Sequence, residues 1–460
     1  MAEHAAPNLP DEPQAPGATQ TSDTPPRRNT HRRHGFLGII RDIGYVSFGK
    51  YGQYVVTIVT VPLIARVLGT HGLGLLAIGM SAYFIGSLLV DLGITSYLAA
   101  RVHDAGLGDD RLRHINQLRG DYLAIRAGTL GLLGTALVLS YAVGAPVHLE
   151  MILLGLFAGG FWSVSEDWLL IGQGRFGAST AYQAVGRIGY LVLLVAVLPR
   201  MPNAQVAVLC LLVSSIPTVV LTWWDSLRTF GPPAKPRDVR IVLRTGAPVF
   251  TSRLLVTTYG QGAAAVYSAV LDAVSLGLYS AGDRLVRAIQ STLDPIGFAL
   301  LPRMARKSAD DNFWRHALQA LLACVCTATV AAAAVWVSAP LLIHLVFGTD
   351  FTAAIGLLRV ETFVLPATAV TSFITTAVLP VRQDTTGVLI GAVIGTGVAA
   401  AALTIAFRTH SVWTLVYGTV VVEFTVASWY LLRIRTLINR ERVTQAAGPA
   451  IVLMREEGGS

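Results

Sequence analysis

The chain has 460 residues, 53% of them hydrophobic and only 13% charged. Soluble domains carry roughly 25% charged residues, so this composition excludes a protein wetted on all sides. The formal charge of +8 is spread over many short loops rather than gathered in one stripe, which argues against a nucleic-acid surface.

The first thirty residues, MAEHAAPNLPDEPQAPGATQTSDTPPRRNT, hold no apolar run of the signal-peptide kind and too little apolar surface to fold. Residues 1–35 are therefore expected to form a disordered cytoplasmic tail, anchored at the membrane face by Arg27, Arg28, Arg32 and Arg33. Apolar stretches of spanning length, about 20 residues each, then recur almost without pause. They fall at 45–67, 72–98, 119–143, 147–171, 178–199, 204–224, 244–267, 275–301, 315–347, 353–380, 386–407 and 411–432. The pattern predicts an all-α polytopic membrane protein of about twelve transmembrane helices.

The segment RTFGPPAKPRDVR is the one strongly Pro-punctuated linker within the hydrophobic region. It divides the chain into a six-helix half over 36–227, a cytoplasmic linker over 228–243, a second six-helix half over 244–437, and a cytoplasmic tail over 438–460. Most of the 35 Lys/Arg residues fall on one side of such a topology. The positive-inside rule then puts both termini in the cytoplasm of a cell with an inner membrane. The halves also echo one another. Val67–Asp91 aligns without gaps on Val270–Asp294, matching VL, LGL, Gly79 with Gly282, and Asp91 with Asp294. Repeats of this kind imply two pseudosymmetric halves, a common transporter architecture.

Charges within spans are expensive and usually face a cavity or each other. Arg187, Arg253, Arg284 and Arg287 all fall near the middle of their spans, and Glu423 lies at similar depth. One reading is a cationic cavity between the halves that binds an anionic substrate, because arginine forks onto phosphate with two hydrogen bonds and stays charged. The other is structural pairing, of Arg253 with Glu423 or of Arg287 with Asp283. Asp91, Asp294, Glu166 and Asp167 sit near cytoplasmic span ends and suit caps, pairing with loop arginines, or a gate. Asp91, Asp294 and Glu423 are the candidates for gating or ion coupling. Arg126, Arg359 and Glu361 read as off-centre residues that snorkel to an interface. Trp162, Trp168, Trp223, Trp224 and Trp429 read as interface anchors.

Catalytic and metal signatures are missing. GQGRFG lacks the Lys-Ser/Thr of a phosphate-binding loop, and neither HExxH nor GxSxG occurs. Cys210, Cys324 and Cys326 lie in apolar runs with no second pair to complete a metal site, and read as small buried apolar residues. The expectation is a non-enzyme without cofactor or metal. Glu166 and Asp167 could be imagined as ligands in a membrane transferase, but adjacent helical residues point about 100° apart.

The stretch PLIARVLGTHGLGLLAIGMSAYFIGSLLVDLGITSYLAAR resembles the opening helices of the bacterial polysaccharide (O-antigen type) flippases. These belong to the multidrug, oligosaccharidyl-lipid and polysaccharide exporter superfamily. EDWLLIGQGRF, LGLYSAGDRLVRAI, PIGFALLPRMAR and LVFGTDFTAAIGLLRV extend the resemblance over most of 45–440. It implies a twelve-helix alternating-access bundle that moves oligosaccharide on a polyprenyl pyrophosphate carrier without ATP. By position it places the head group against Arg187, Arg253, Arg284 and Arg287. Its implied partners are the lipid-linked oligosaccharide, membrane lipids and polysaccharide polymerase machinery, with no nucleic acid. The charged Arg-Asp pair in the first helix of the peptidoglycan-precursor branch has no counterpart in YVVTIVTVPLIARVLG. The alternatives are a cation-coupled drug or metabolite exporter of the same superfamily, and a non-transporting scaffold of a polysaccharide assembly complex.

Overall fold

The protein is seen as a computed structural model, which describes residues 30–95, 98, 109–306, 312–382 and 384–457. The chain forms two units, Met1–Gly44 and Tyr45–Ser460, and the helical bundle belongs to the second. The expected tail over 1–35 lies outside the described residues as far as residue 29.

Among the described residues every regular element is helical. The first half comprises α1 (Thr30–Asp91), α2 (Asp109–Val143), α3 (Val147–Trp162), α4 (Asp167–Gly172), α5 (Phe176–Val197) and α6 (Ala204–Phe230). The second comprises α7 (Val239–Tyr259), α8 (Ala263–Tyr267), α9 (Ala273–Arg306), α10 (Phe313–Val346), α11 (Ala354–Glu361), α12 (Val364–Phe373), α13 (Thr385–Thr409) and α14 (Val412–Glu457). A π-helical turn at Ile374–Val378 follows α12. α14 runs through the expected carboxy-terminal tail.

The bundle is inverted relative to a soluble protein. α10 turns Val330, Val337, Leu341 and Leu345 outward, each largely exposed, and α2 does the same with Leu132, Val138 and Val143. Large contiguous apolar surface of this kind needs lipid around it, so the chain is a multi-pass membrane protein. Cys210 is buried, but Cys326 belongs to that outer face rather than the interior.

Nine helices among the described residues are long and apolar enough to cross a membrane. This leaves the expected count of twelve unconfirmed. The first two expected spans merge into α1, which breaks at Gly69, with φ 65° and ψ −170°, backbone that glycine adopts most easily. The expected spans at 244–267 and 275–301 correspond to α7 with α8 and to α9. These are the segments that carry Arg253, Asp283, Arg284 and Arg287.

The two halves repeat one packing scheme. In the first, α2 packs on α3, α3 on α6, and α5 on α6; in the second, α10 packs on α11 and α12, α12 on α14, and α13 on α14. Small residues let α1 and α3 approach closely: a Cβ at Gly155 would overlap the Gly79 carbonyl oxygen, and one at Gly159 that of Tyr83. This G-x-x-x-G spacing is a familiar way for membrane helices to touch backbones.

The sequence repeat meets itself where α1 crosses α9. A Cβ at Gly74 would overlap the carbonyl oxygen of Ala273 and approach the Gly277 nitrogen to 2.9 Å. A Cβ at Gly277 would overlap the carbonyl oxygen of Thr70 and approach the Gly74 nitrogen to 3.1 Å. In the ungapped alignment Thr70 corresponds to Ala273 and Gly74 to Gly277. The contact is therefore reciprocal, as across a two-fold axis.

The Pro-rich linker is stitched to α2. The Asn116 side chain donates to the Phe230 carbonyl (2.7 Å), and the Asn116 carbonyl accepts from the Ala234 N–H (3.0 Å). The Asp121 carboxylate accepts from the backbone N–H groups of Arg237 (2.6 Å) and Asp238 (2.9 Å).

Candidate functional site

The first half contains a buried ion network at the Asp91 end of α1. Arg119 on α2 is fully buried and donates from Nε to Glu166 Oε2 at 2.9 Å. Its other nitrogens donate to Asn116 Oδ1 (2.9 Å), the Gly231 carbonyl (2.8 Å) and Ser226 Oγ (2.5 Å). Arg126 lies two turns further along the same face, with Nη1 3.7 Å from Glu166 Oε1. It donates to the carbonyls of Val164 (3.2 Å) and Ser165 (3.1 Å), and its guanidinium lies 3.8 Å from the centre of the Tyr122 ring. One carboxylate thus sits between two guanidiniums, with most of their hydrogen bonds made. Such networks hold elements in register when they are fully satisfied.

Asp91 ends α1, and the chain turns through Leu92 and Gly93, both with positive φ. Its carboxylate accepts from the Gly93 N–H at 2.6 Å, and its carbonyl accepts from the Tyr122 hydroxyl at 2.8 Å. Arg253 on α7 lies across this turn: a Cβ on Gly93 would be 2.7 Å from Arg253 Cδ, and Asp91 is an electrostatic neighbour of the guanidinium. The pairing of Arg253 with Glu423 considered from the sequence is replaced by this cross-half contact, because α7 presents Arg253 toward α1.

Arg187 on α5 donates to Gln183 Oε1 at 3.1 Å and has Tyr83 and Asp167 as electrostatic neighbours. Three residues along α5, Tyr190 neighbours Arg284 of α9, whose Nε donates to Ser280 Oγ at 3.2 Å. Residues three apart share a helix face, so Arg187 and the α5 residue that neighbours Arg284 lie on one face. Arg287 is held differently. Its Nε donates to both carboxylate oxygens of Asp283 at 2.7 Å, and Nη2 reaches the Gly260 carbonyl at 3.3 Å. Its other electrostatic neighbours are Glu361 and Glu423. Asp294 lies on α9, and its side chain falls outside the described residues.

Several sequence expectations are corrected by depth. Arg126 and Glu361 do not snorkel: each is only 1% exposed. Glu361 faces α9, where a Cβ on Gly282 would be 2.6 Å from its Oε2, and that oxygen has no hydrogen-bond partner. Arg359 instead lies 4.9 Å from the centre of the Trp336 ring. Trp168 is buried rather than an interface anchor. Glu166 pairs with helix arginines rather than loop ones. Arg119 escaped notice because it falls at a span end, although its seven-residue spacing from Arg126 puts both on one helix face.

Outside the spans, Asp384 caps α13 by accepting from the Gly387 N–H at 3.1 Å and from Arg433 at 2.6 and 2.9 Å. The Arg433 hydrogen bond holds the Asp384 carboxyl below its ordinary pKa.

A sequence profile described as polysaccharide biosynthesis protein matches residues 39–308, more than half of the chain. A search of curated proteins by sequence finds no significant match. Among solved structures, the lipid II flippase MurJ in an inward closed conformation superposes with a TM-score of 0.70 at 13% identity, over 85% of this chain and 87% of that one. An inward-facing multidrug resistance MATE family transporter of the MOP superfamily gives 0.55 at 17% identity, over 83% and 95%. A MOP superfamily transporter from Pyrococcus furiosus gives 0.52 at 15% identity, over 86% and 96%. At these identities the likeness is one of fold: the chain has the architecture of MOP transporters.

Proposed function

We propose that this chain, which belongs to the polysaccharide biosynthesis protein family, is a flippase for polyprenyl-pyrophosphate-linked oligosaccharide. It carries the head group from the cytoplasmic to the outer leaflet by alternating access while the lipid tail stays in the bilayer. The observation that supports this most directly is that one face of α5 carries Arg187 and, through Tyr190, neighbours Arg284 of the other half. A site built from both halves can grip a diphosphate in one arrangement and release it in another. Guanidinium suits that cargo, because it stays charged and forks onto phosphate oxygens. With both termini cytoplasmic, the Gly74–Gly277 crossing lies at the outer end of the bundle and Arg253 at the inner end. An anionic cargo moving outward gains about 2.3 kcal/mol per charge per 100 mV.

The coupling site, in this reading, is the acid cluster of the second half. Asp283, Glu361 and Glu423 gather about Arg287, so carboxylate exceeds guanidinium there and a cation can be taken up and released. That same cluster would serve a cation-coupled exporter of drugs or metabolites. Resistance to lipophilic cations, conferred without any polysaccharide defect, would select that second reading.

Reconstitution into sealed liposomes with a fluorescent polyprenyl-pyrophosphate oligosaccharide tests the proposal. Protein-dependent leaflet exchange that disappears in Arg284→Ala is the expected result. Absence of exchange with and without imposed ion gradients would overturn it.

A further inference from the structure

The ion network of the first half forms one wall of a cavity of about 210 Å³, lined by Ser87, Asp91, Arg126, Trp162, Asp167 and Trp168 among others. Its chemistry is mixed in a way that structural pairing does not explain. Arg126 is 1% exposed, yet its Nε–H has no hydrogen-bond partner, although Nη1 is well used. Trp168 is 2% exposed, and its indole N–H is also unpartnered. Asp167 also lines the cavity, its Oδ2 accepting from Gln183 at 2.8 Å and the Ser179 hydroxyl bonding its carboxylate. Buried polar groups are nearly always satisfied, and exceptions in a native protein call for an explanation. Here two of them, both donors, border one cavity beside two carboxylates.

The unmade bonds specify the guest. An anion would suit Arg126 and the indole N–H but would face the carboxylates of Asp91 and Asp167. A bare cation would suit the carboxylates but face the guanidinium. An apolar guest would leave every group unsatisfied. A neutral ring bearing several hydroxyls suits the donors and the carboxylates together, because each hydroxyl both accepts and donates. Trp162 and Trp168 add flat apolar surface of the kind that covers the C–H face of a pyranose. The cavity also borders the proposed diphosphate site, since Asp167 neighbours Arg187.

We infer that this cavity is a saccharide subsite, which receives the sugar joined directly to the pyrophosphate. Its identification with that particular sugar rests on the flippase reading; its capacity to bind a pyranose does not. Asp167 and the Trp168 N–H select among hydroxyl configurations, so the protein discriminates between carriers that differ at a single sugar stereocentre.

Saturation-transfer NMR on the purified full-length protein, with a panel of epimeric methyl glycosides, tests the assignment. At least one epimer is expected to bind. Asp167→Asn and Trp168→Phe should each weaken it by about tenfold, the loss expected for one hydrogen bond of about 1.4 kcal/mol. Ile171 lines the cavity and is 38% exposed, so Ile171→Trp fills the space without disturbing the buried groups and should abolish binding. No signal from any glycoside, or a signal unchanged in Ile171→Trp, would overturn the subsite and leave the cavity to water alone. Leaflet exchange in liposomes of a polyprenyl pyrophosphate bearing the bound sugar tests the flippase reading separately. A protein that binds the glycoside but moves no carrier keeps the subsite and loses the transport assignment.

Discussion

The buried charges of the two halves solve opposite problems. In the first half, Glu166 is shared by Arg119 and Arg126, and hydroxyls, carbonyls and an amide complete most of the remaining bonds. In the second, three carboxylates gather about Arg287, and Glu361 keeps an oxygen with no partner. The charge-paired arrangement holds α2, α4 and α6 together, although Arg126 Nε lacks a partner, and has no reason to change its charge. In the proposed reading, the unsatisfied one is stabilised by gaining a cation. A fold made of two similar halves can thus devote one to rigidity and the other to exchange.

Breaking the first network should have the largest effect. Glu166→Ala leaves two guanidiniums buried without their carboxylate, and losing one partner of a buried pair typically costs about 3–5 kcal/mol. A large fall in the melting temperature of the detergent-solubilised protein is expected; an unchanged one would show that the network does not hold the half together. Gly74→Val comes next, because its side chain has to displace the Ala273 carbonyl. Overpacking of that kind costs about 1–3 kcal/mol. Leaflet exchange should fall with it, and wild-type exchange rates would remove the crossing from the transport cycle.

Glu361→Gln sharpens the contrast from the other side. It keeps the shape and discards the charge, so stability is expected to hold or rise by about 1 kcal/mol. Dependence of leaflet exchange on an imposed cation gradient should vanish. A variant that stays fully gradient-dependent would shift the exchange to Glu423 or Asp283. The smallest effect concerns the half-buried pair of Asp384 and Arg433 outside the spans. Because Arg433 lowers the folded pKa of Asp384, the pair's contribution is complete above the unfolded value of about 3.9. It is lost as pH falls through the lower folded value. Asp384→Asn should therefore destabilise by at most about 1 kcal/mol at neutral pH, a difference that closes in acid. A gap that persists there would assign the effect to the helix cap instead.

Much of this arrangement can be read from the residues. The apolar runs announce the helices, the four-residue spacing of Asp283 and Arg287 announces their pair, and the repeat aligns the glycines that meet. What escapes is tertiary. Distance along a span says nothing about which way a side chain turns, so Glu361 and Arg126 look off-centre while lying buried. Arg253 and Glu423 look matched in depth, yet α7 turns one toward α1 while α14 turns the other toward Arg287. The Trp168 indole looks like an interface anchor until the break between α3 and α4 folds it inward.

The crossing of α1 and α9 constrains the protein's history. Gly74 and Gly277 occupy the place of a residue on the axis of a symmetric dimer, where each can only meet its own copy. Had the two halves once been separate chains, this contact would have been a self-contact, and one mutation would have changed both sides of it. Fusion of such chains would uncouple the two positions without relieving them, because each glycine abuts the backbone of the other helix rather than a side chain. A larger residue at either position therefore cannot be compensated by shrinking its counterpart, which is already as small as a residue can be. The pair is expected to stay glycine in both copies while the residues around it drift apart.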